Sequence, residues 1–194
     1  MSTVKTTNIT HGSNSGTANV VLDSSGNATI NGNLSVTGTR GGGLFSSYAI
    51  LQEQQSAGTH GGGNASGSWT TRTLNTEVAD PDGIVTLSSN EFQVAAGSYL
   101  IRWRSPHYKA GVTQTRLYDV TNTAVRGSGS AANVGTSESA QYDSEGAVRV
   151  TPSGTTTYRI EYQSTSVKAT NGLGQAGDKG ETEIYTHVEI WKES

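Results

Sequence analysis

The sequence has no cysteine, one methionine and three prolines in 194 residues. Without a thiol there is no disulfide framework, no Cys-ligated zinc, no iron–sulfur cluster and no cysteine nucleophile. Nothing approaches the ~20 consecutive apolar residues that cross a bilayer as a helix, so no membrane insertion is expected. The opening Met1-Ser2-Thr3-Val4-Lys5 lacks an apolar signal-peptide core, which makes synthesis in a cytoplasm the expectation. Charge is scarce too. Thirteen Lys and Arg face 16 Asp and Glu, a net of −3 with no basic run, which argues against nucleic acid as a partner. Leu, Ile, Val and Phe supply only 34 of the 194 residues, close to the composition of disordered chains, yet the low net charge gives no self-repulsion to hold the chain open. At ~25 cal/mol per Å² of apolar burial this is a thin core for one subunit, so association of like chains is expected.

What the sequence holds in quantity is Gly, Ser, Thr and Asn, 88 residues together. No window carries helical spacing, and short alternating runs recur between polar loops, so the fold class expected is all-β.

Two regions differ in composition. Residues 1–43 contain no aromatic side chain and only three charges, Lys5, Asp23 and Arg40. Inside them Gly26-Asn27-Ala28-Thr29-Ile30-Asn31 is followed by Gly32-Asn33-Leu34-Ser35-Val36-Thr37 and Gly38, a six-residue repeat that aligns Ala28 with Leu34 and Ile30 with Val36. Two such units bury no face alone and need stacked neighbours, most simply other copies of the chain. An extended β-stalk or docking arm is the reading, against an ordinary hairpin arm or a loose terminus. Arg40-Gly41-Gly42-Gly43 is a hinge candidate, and all 13 aromatic residues follow it.

Residues 44–194 read as a sandwich of about eight to ten strands. Candidate strands lie at 48–51, 69–74, 84–87, 92–94, 98–104, 114–120, 141–150, 158–163 and 184–191. In the run 98–104, Tyr99, Ile101 and Trp103 share one face and Leu100, Arg102 and Arg104 the other. In the last run Ile184, Thr186, Val188 and Ile190 oppose Tyr185, His187, Glu189 and Trp191. A strand so near the end of the chain is expected at the centre of a sheet rather than at its edge. Faces that mix large and polar groups suit interfaces, which makes Arg102, Arg104, Tyr185, His187 and Trp191 candidates for packing three subunits about an axis.

The stretch Phe92-Gln93-Val94-Ala95-Ala96-Gly97-Ser98-Tyr99-Leu100-Ile101, with an extended opening strand, a Trp strand and an apolar last strand, resembles the tumour-necrosis-factor-like jelly roll shared by complement globular heads. The resemblance covers residues 44–194 and implies a close corner at Gly97 with Tyr99 packed inward. The run Asn19-Val20-Val21-Leu22-Asp23-Ser24-Ser25-Gly26-Asn27 through Gly38 resembles leader segments of bacteriophage fibre and virion structural proteins. That second resemblance implies a homotrimer on the virion surface, made in the host cytoplasm and docked to another capsid or tail protein. It places Val20, Leu22, Ile30, Leu34 and Val36 in the docking stalk.

Little enzymatic chemistry is legible. Gly172-Leu173-Gly174-Gln175-Ala176-Gly177 matches a dinucleotide-binding G-x-G-x-x-G but leads into a strand rather than a helix, so it reads as a loop. There is no G-x-S-x-G elbow. His187 and Glu189 are too few to hold a metal, Asp80-Pro81-Asp82-Gly83 reads as a turn rather than a Ca²⁺ loop, and no cofactor is expected. Asp143 and Glu145 share a face, solvated or paired with Arg149. A non-enzymatic virion component, as head fibre, capsid decoration or tail fibre, is the leading reading. Its rivals are a glycan-binding tip, with Trp69, Tyr108, Arg126 and Tyr142 as ligand candidates, a depolymerase, and a non-viral soluble trimer.

Overall fold

The computed structural model describes residues 8–9, 20–25, 27–30, 43–137 and 139–193. Among them there are strands and turns and no helix. The chain divides into two compact units, Met1–Gly41 and Gly42–Ser194.

In the first unit β1 (Asn8–Ile9), β2 (Val20–Leu22) and β3 (Ala28–Ile30) form an antiparallel sheet in that order. The first half of the hexapeptide repeat thus folds back on Val20–Leu22, with Val20 opposite Ile30. Asp23 makes the turn, its carboxylate accepting from the Ser25 and Asn27 amides and from the Asn27 side chain. Leu34 and Val36 lie outside the described residues.

The second unit opens with β4 (Phe45–Gln55), β5 (Thr70–Thr71), β6 (Thr76–Ala79), β7 (Val85–Ser88) and β8 (Glu91–Val94). The long strands follow: β9 (Tyr99–Tyr108), β10 (Gly111–Asp119), β11 (Ala124–Val134), β12 (Gln141–Val150), β13 (Thr156–Ser164) and β14 (Glu183–Glu193). One sheet runs β12-β9-β14-β4-β6 and the other β11-β10-β13-β8-β7, with β5 added beside β13. From β8 onward the chain passes repeatedly between the two sheets, the connectivity of a jelly roll. The last strand is central, between β9 and β4. At the expected corner Gly97 has φ 155°, and Tyr99 packs inward at 1% exposure.

One chain buries a continuous core: Leu51, Phe92, Ile101, Trp103, Leu117, Ile160, Val188 and Ile190 all lie inside it. The expectation that so few aliphatic residues need neighbouring copies for shelter is therefore corrected, because polar side chains fill much of the interior. Glu53, Arg72, Ser105, His107, Thr113, Thr115, Ser144, Ser164 and Thr186 are buried as deeply as the aliphatics.

The sequence reading also passed over β6 and β11. The latter, rich in Gly, Ser and Ala, has no apolar alternation because it packs by close approach. A Cβ on Gly129 would lie 2.4 Å from Thr115 Oγ1, and one on Gly146 of β12 would lie 2.1 Å from the Trp103 ring. Where an ordinary strand would carry Val or Ile, this corner is filled by backbone and by a neighbour's indole.

Candidate functional site

The outward face of the β12-β9-β14-β4-β6 sheet is built by register. Three cross-strand rows lie on it. Arg149, Leu100, Trp191 and Tyr48 form the first; Ala147, Arg102, Glu189, Ile50 and Ala79 the second; Glu145, Arg104, His187, Gln52 and Thr76 the third. Each residue follows from strict alternation along strands whose other face is the core.

The first row is apolar at its centre. Tyr48 is 43% exposed, Leu100 and Trp191 are half-buried, and Phe45 packs its ring 6.1 Å from that of Trp191. The second and third rows carry charges that pair with one another and with Asp143. Arg104 reaches Asp143 at 3.6 Å, and Arg102 lies 4.0 Å from Glu145 and 3.8 Å from Glu189. His187 Nε2 sits 3.5 Å from Glu189, and its Nδ1 is 2.9 Å from Gln52 Nε2. Burial pulls the His187 imidazole below its usual value, and Glu189 only partly offsets this. The face is thus an apolar stripe beside a charge-compensated one, a layout that buries against a like surface without stranding a charge.

Four of the five interface candidates share this face: Arg102, Arg104, His187 and Trp191. Tyr185 does not. A register shift between Ile184 and His187 bulges β14, so Tyr185 and Thr186 both turn inward and Ile184 is left exposed. Tyr185 is 2% exposed and donates its hydroxyl to the Thr59 carbonyl, and burial pushes that hydroxyl up to about 12. Its ring lies against Gly174, where a Cβ would come within 2.1 Å of it. The G-x-G-x-x-G stretch is accordingly a packing loop: Gly61 donates to the Gly174 carbonyl, and Leu173 to that of Gly62.

The signal for Tyr48 and Leu100 was present in the same alternation, but the pairing that sets them beside Trp191 was not. Asp143 and Glu145 bridge to Arg104 and Arg102 rather than to Arg149, whose guanidinium binds Glu193. These partners lie diagonally across the β9–β12 pair.

The four ligand candidates are not brought together. Tyr108 and Tyr142 lie where β9 ends and β12 begins, whereas Arg126 lies in a cleft with Arg149 and Val150 at the other end of β12. Trp69 is capped by Arg116, whose guanidinium carbon stands 4.1 Å from the indole centroid. Arg116 in turn binds Glu161, which also holds Arg159.

Inside the sandwich, Arg72 and Glu53 form a fully buried ion pair at 3.3 Å. Arg72 also donates to Thr186 Oγ1 and to the Leu173 carbonyl. Burial raises the Glu53 carboxyl and lowers the Arg72 guanidinium, each partly held by the other's charge. Beside them Ser105 Oγ, Glu53 Oε1 and both ring nitrogens of His107 have no hydrogen-bond partner among the described residues. Burial, with the charge of Arg72, takes His107 down to about 3. Ser105, His107 and Glu53 are residue types of a hydrolytic triad, but all three are sealed from solvent. Among the described residues no group of three or more His, Asp and Glu side chains is placed to hold a metal ion.

Neither the family models nor the curated proteins compared with the chain give a match. Solved structures do. The globular domain of zebrafish complement 1qA protein is 11% identical, with a TM-score of 0.47 over 75% of this chain and 95% of that one. Murine APRIL at pH 5.0 is 10% identical, with a TM-score of 0.49 over 75% of this chain and 98% of its own. A second structure of murine APRIL, at pH 8.0, gives a TM-score of 0.47 at the same identity.

Proposed function

We propose that the protein is a non-enzymatic structural component of a bacteriophage virion surface, a head fibre, capsid decoration or tail-fibre element. Its jelly-roll unit self-associates as a homotrimer through the outward face of the β12-β9-β14-β4-β6 sheet, and its N-terminal unit docks on another virion protein. The observation that carries self-association is the row Leu100, Trp191 and Tyr48, an apolar stripe across the central strands near one end of the sheet, beside internally neutralised charges. A lone chain leaves Tyr48 wet, whereas like copies about an axis cover it.

The docking role is supported by the exposure of Leu22 (38%) and Ile30 (40%) on a sheet too small to shelter them. The virion setting is supported by the likeness of the run 19–38 to phage leader segments. A non-enzymatic role is supported by the sealing of Ser105, His107 and Glu53, which denies any substrate access to them.

Sedimentation of the full chain tests the assembly. The expected species has three times the 20.2 kDa chain mass. Trp191→Glu is expected to return it to one chain without loss of the sandwich, because the residue lies on the outer face. A species of single-chain mass at micromolar concentration overturns the trimer. Antibody labelling of intact particles tests the setting, and particles without label overturn it.

A further inference from the structure

A polar cleft of about 550 Å³ opens at the end of the sandwich where the β10–β11 turn faces the β12–β13 loop. Its size falls in the ~300–1,000 Å³ range of small-molecule sites. Two arginines line it, Arg126 at the start of β11 and Arg149 near the end of β12.

Each guanidinium is held along one edge by a carboxylate. Arg126 donates through Nε and Nη2 to Asp119 Oδ2, at 2.9 and 2.7 Å. Arg149 donates through Nε and Nη2 to the two oxygens of Glu193, at 2.7 and 2.6 Å. In both, Nη1 has no hydrogen-bond partner among the described residues, which leaves two guanidinium donors for a ligand.

Several acceptors of the cleft are, by contrast, already engaged. Asp119 is fully buried, and its oxygens take the Asn122 amide, the Asn122 side chain and Arg126. Burial pushes its carboxyl up, but these hydrogen bonds and Arg126 outweigh that and hold it below the usual carboxylate range. The Pro152 carbonyl accepts from Gly97 and the Gly154 carbonyl from Thr156. A ligand held by the two arginines brings acceptors of its own.

The remaining lining is hydroxyl-bearing, with Ser153 and Thr155 among it, and the one aromatic ring, Tyr158, is 2% exposed and offers no stacking face. The walls are stapled by the Val120 amide on the Thr157 carbonyl and the Thr157 amide on Thr121 Oγ1, so the cleft is preformed. Spare guanidinium donors suit a carboxylate, the hydroxyls suit sugar oxygens, and the volume far exceeds an inorganic anion. We propose that this cleft binds a carboxylate-bearing saccharide, its acid group on the free Nη1 atoms of Arg126 and Arg149.

The site lies within one chain and does not rest on the virion setting, but Arg149 also ends the first row of the outer face proposed to self-associate, so the titration is run on a species of known sedimented mass. Without a stacking platform each site is expected to be weak, and binding to a surface would draw on several copies at once.

The test is an amide chemical-shift titration of the full chain with glucuronate and N-acetylneuraminate, and with glucose, acetate and sulfate as comparators. Saturable shifts confined to residues 119–126 and 149–156, given by the two acidic sugars and not by glucose, are expected. Arg149→Gln is expected to weaken them about tenfold while the amide shifts of the core strands stay in place. Arg126→Lys, which keeps a cation on buried Asp119 but loses the fork, is expected to weaken them as well. No saturable shift, equal shifts from glucose, equal shifts from acetate or sulfate, or binding untouched by Arg149→Gln would each overturn the proposal.

Discussion

The same strands build two unlike halves of one interior. Toward the end at Tyr99 and Val150, β9 contributes Tyr99, Ile101 and Trp103, β14 Val188 and Ile190, β4 Ala49 and Leu51, and β13 Tyr158 and Ile160. A few residues further along the same strands stand Ser105 and His107, Tyr185 and Thr186, Glu53, and Tyr162 and Ser164, closed over by the loops at 56–69 and 165–182. One half is held by area removed from water, which tolerates exchange among apolar shapes. The other is held by a hydrogen-bonded network around a buried ion pair, where the geometry of each partner matters. A chain can thus reach interior packing with few aliphatic residues if half of its core is polar and largely hydrogen-bonded, here with Ser105, His107 and one Glu53 oxygen left without partners among the described residues, and a low apolar count alone does not call for a second copy.

The sharpest way to break that contrast is to strand one charge. Arg72→Met leaves Glu53 buried beside an apolar group and is expected to cost about 3–5 kcal/mol, read as a shift in the urea midpoint. Adding Glu53→Leu should recover most of that loss, since two apolar groups need no partner. Failure of the double variant to recover would show that the network does more than neutralise itself.

Acid should find the polar half next. His107 stands at about 3 in the folded protein against 6.5 in the unfolded chain, so the unfolded state binds more protons between those values. Stability is therefore full above pH 6.5 and falls as pH drops toward 3, by on the order of a few kcal/mol. Glu53, raised in the folded state, works in the opposite direction and moderates the loss. His107→Phe should flatten the dependence of melting temperature on pH across this window, measured at one fixed protein concentration.

Smaller effects are expected where packing is by approach. Gly146→Ala would set a Cβ against the Trp103 indole and should cost about 1–3 kcal/mol, with a matching change in tryptophan fluorescence. Least of all, Arg102→Gln breaks two ion pairs on the wet outer face and should move monomer stability by no more than ~1 kcal/mol, less at high salt. A large change there, growing with protein concentration, would instead report the interface.

Much of the fold was legible. Alternation in the runs 98–104 and 184–191 identified the two central strands and, for Tyr99, Ile101 and Trp103, the correct inward face. The corner at Gly97 came from the resemblance of the run 92–101 to a jelly roll, and Gly97 at φ 155° with Tyr99 inside agrees with what it implied. Alternation failed where its premise failed. The bulge before His187 shifts β14 by one residue, so Tyr185 moved from the outer face to the interior. The strand Ala124–Val134 was invisible because its place in the sandwich is paid for by missing side chains rather than by apolar ones.

The candidate sites were less legible than the fold. Arg102, Arg104, His187 and Trp191 could be named from one period-2 pattern, but Tyr48 joined them only through the pairing of β4 with β14. Arg126 was named with Trp69, Tyr108 and Tyr142, none of which lines its cleft, whereas the two arginines of that cleft need Asp119, Arg149 and Glu193 from three further strands. The polar half of the interior gave no signal at all, since Glu53, Arg72 and His107 look like surface residues in any local window.

The sequence by itself determined that the fold is all-β, that its aromatic part is a sandwich, and which side of its strongest strands meets the core. Those are local properties, written in period and composition. Tertiary structure alone decided which polar residues went inside and which donors were left unspent at the surface. Burial and hydrogen-bond satisfaction depend on partners tens of residues away, and no spacing along the chain encodes that a charge will find its match.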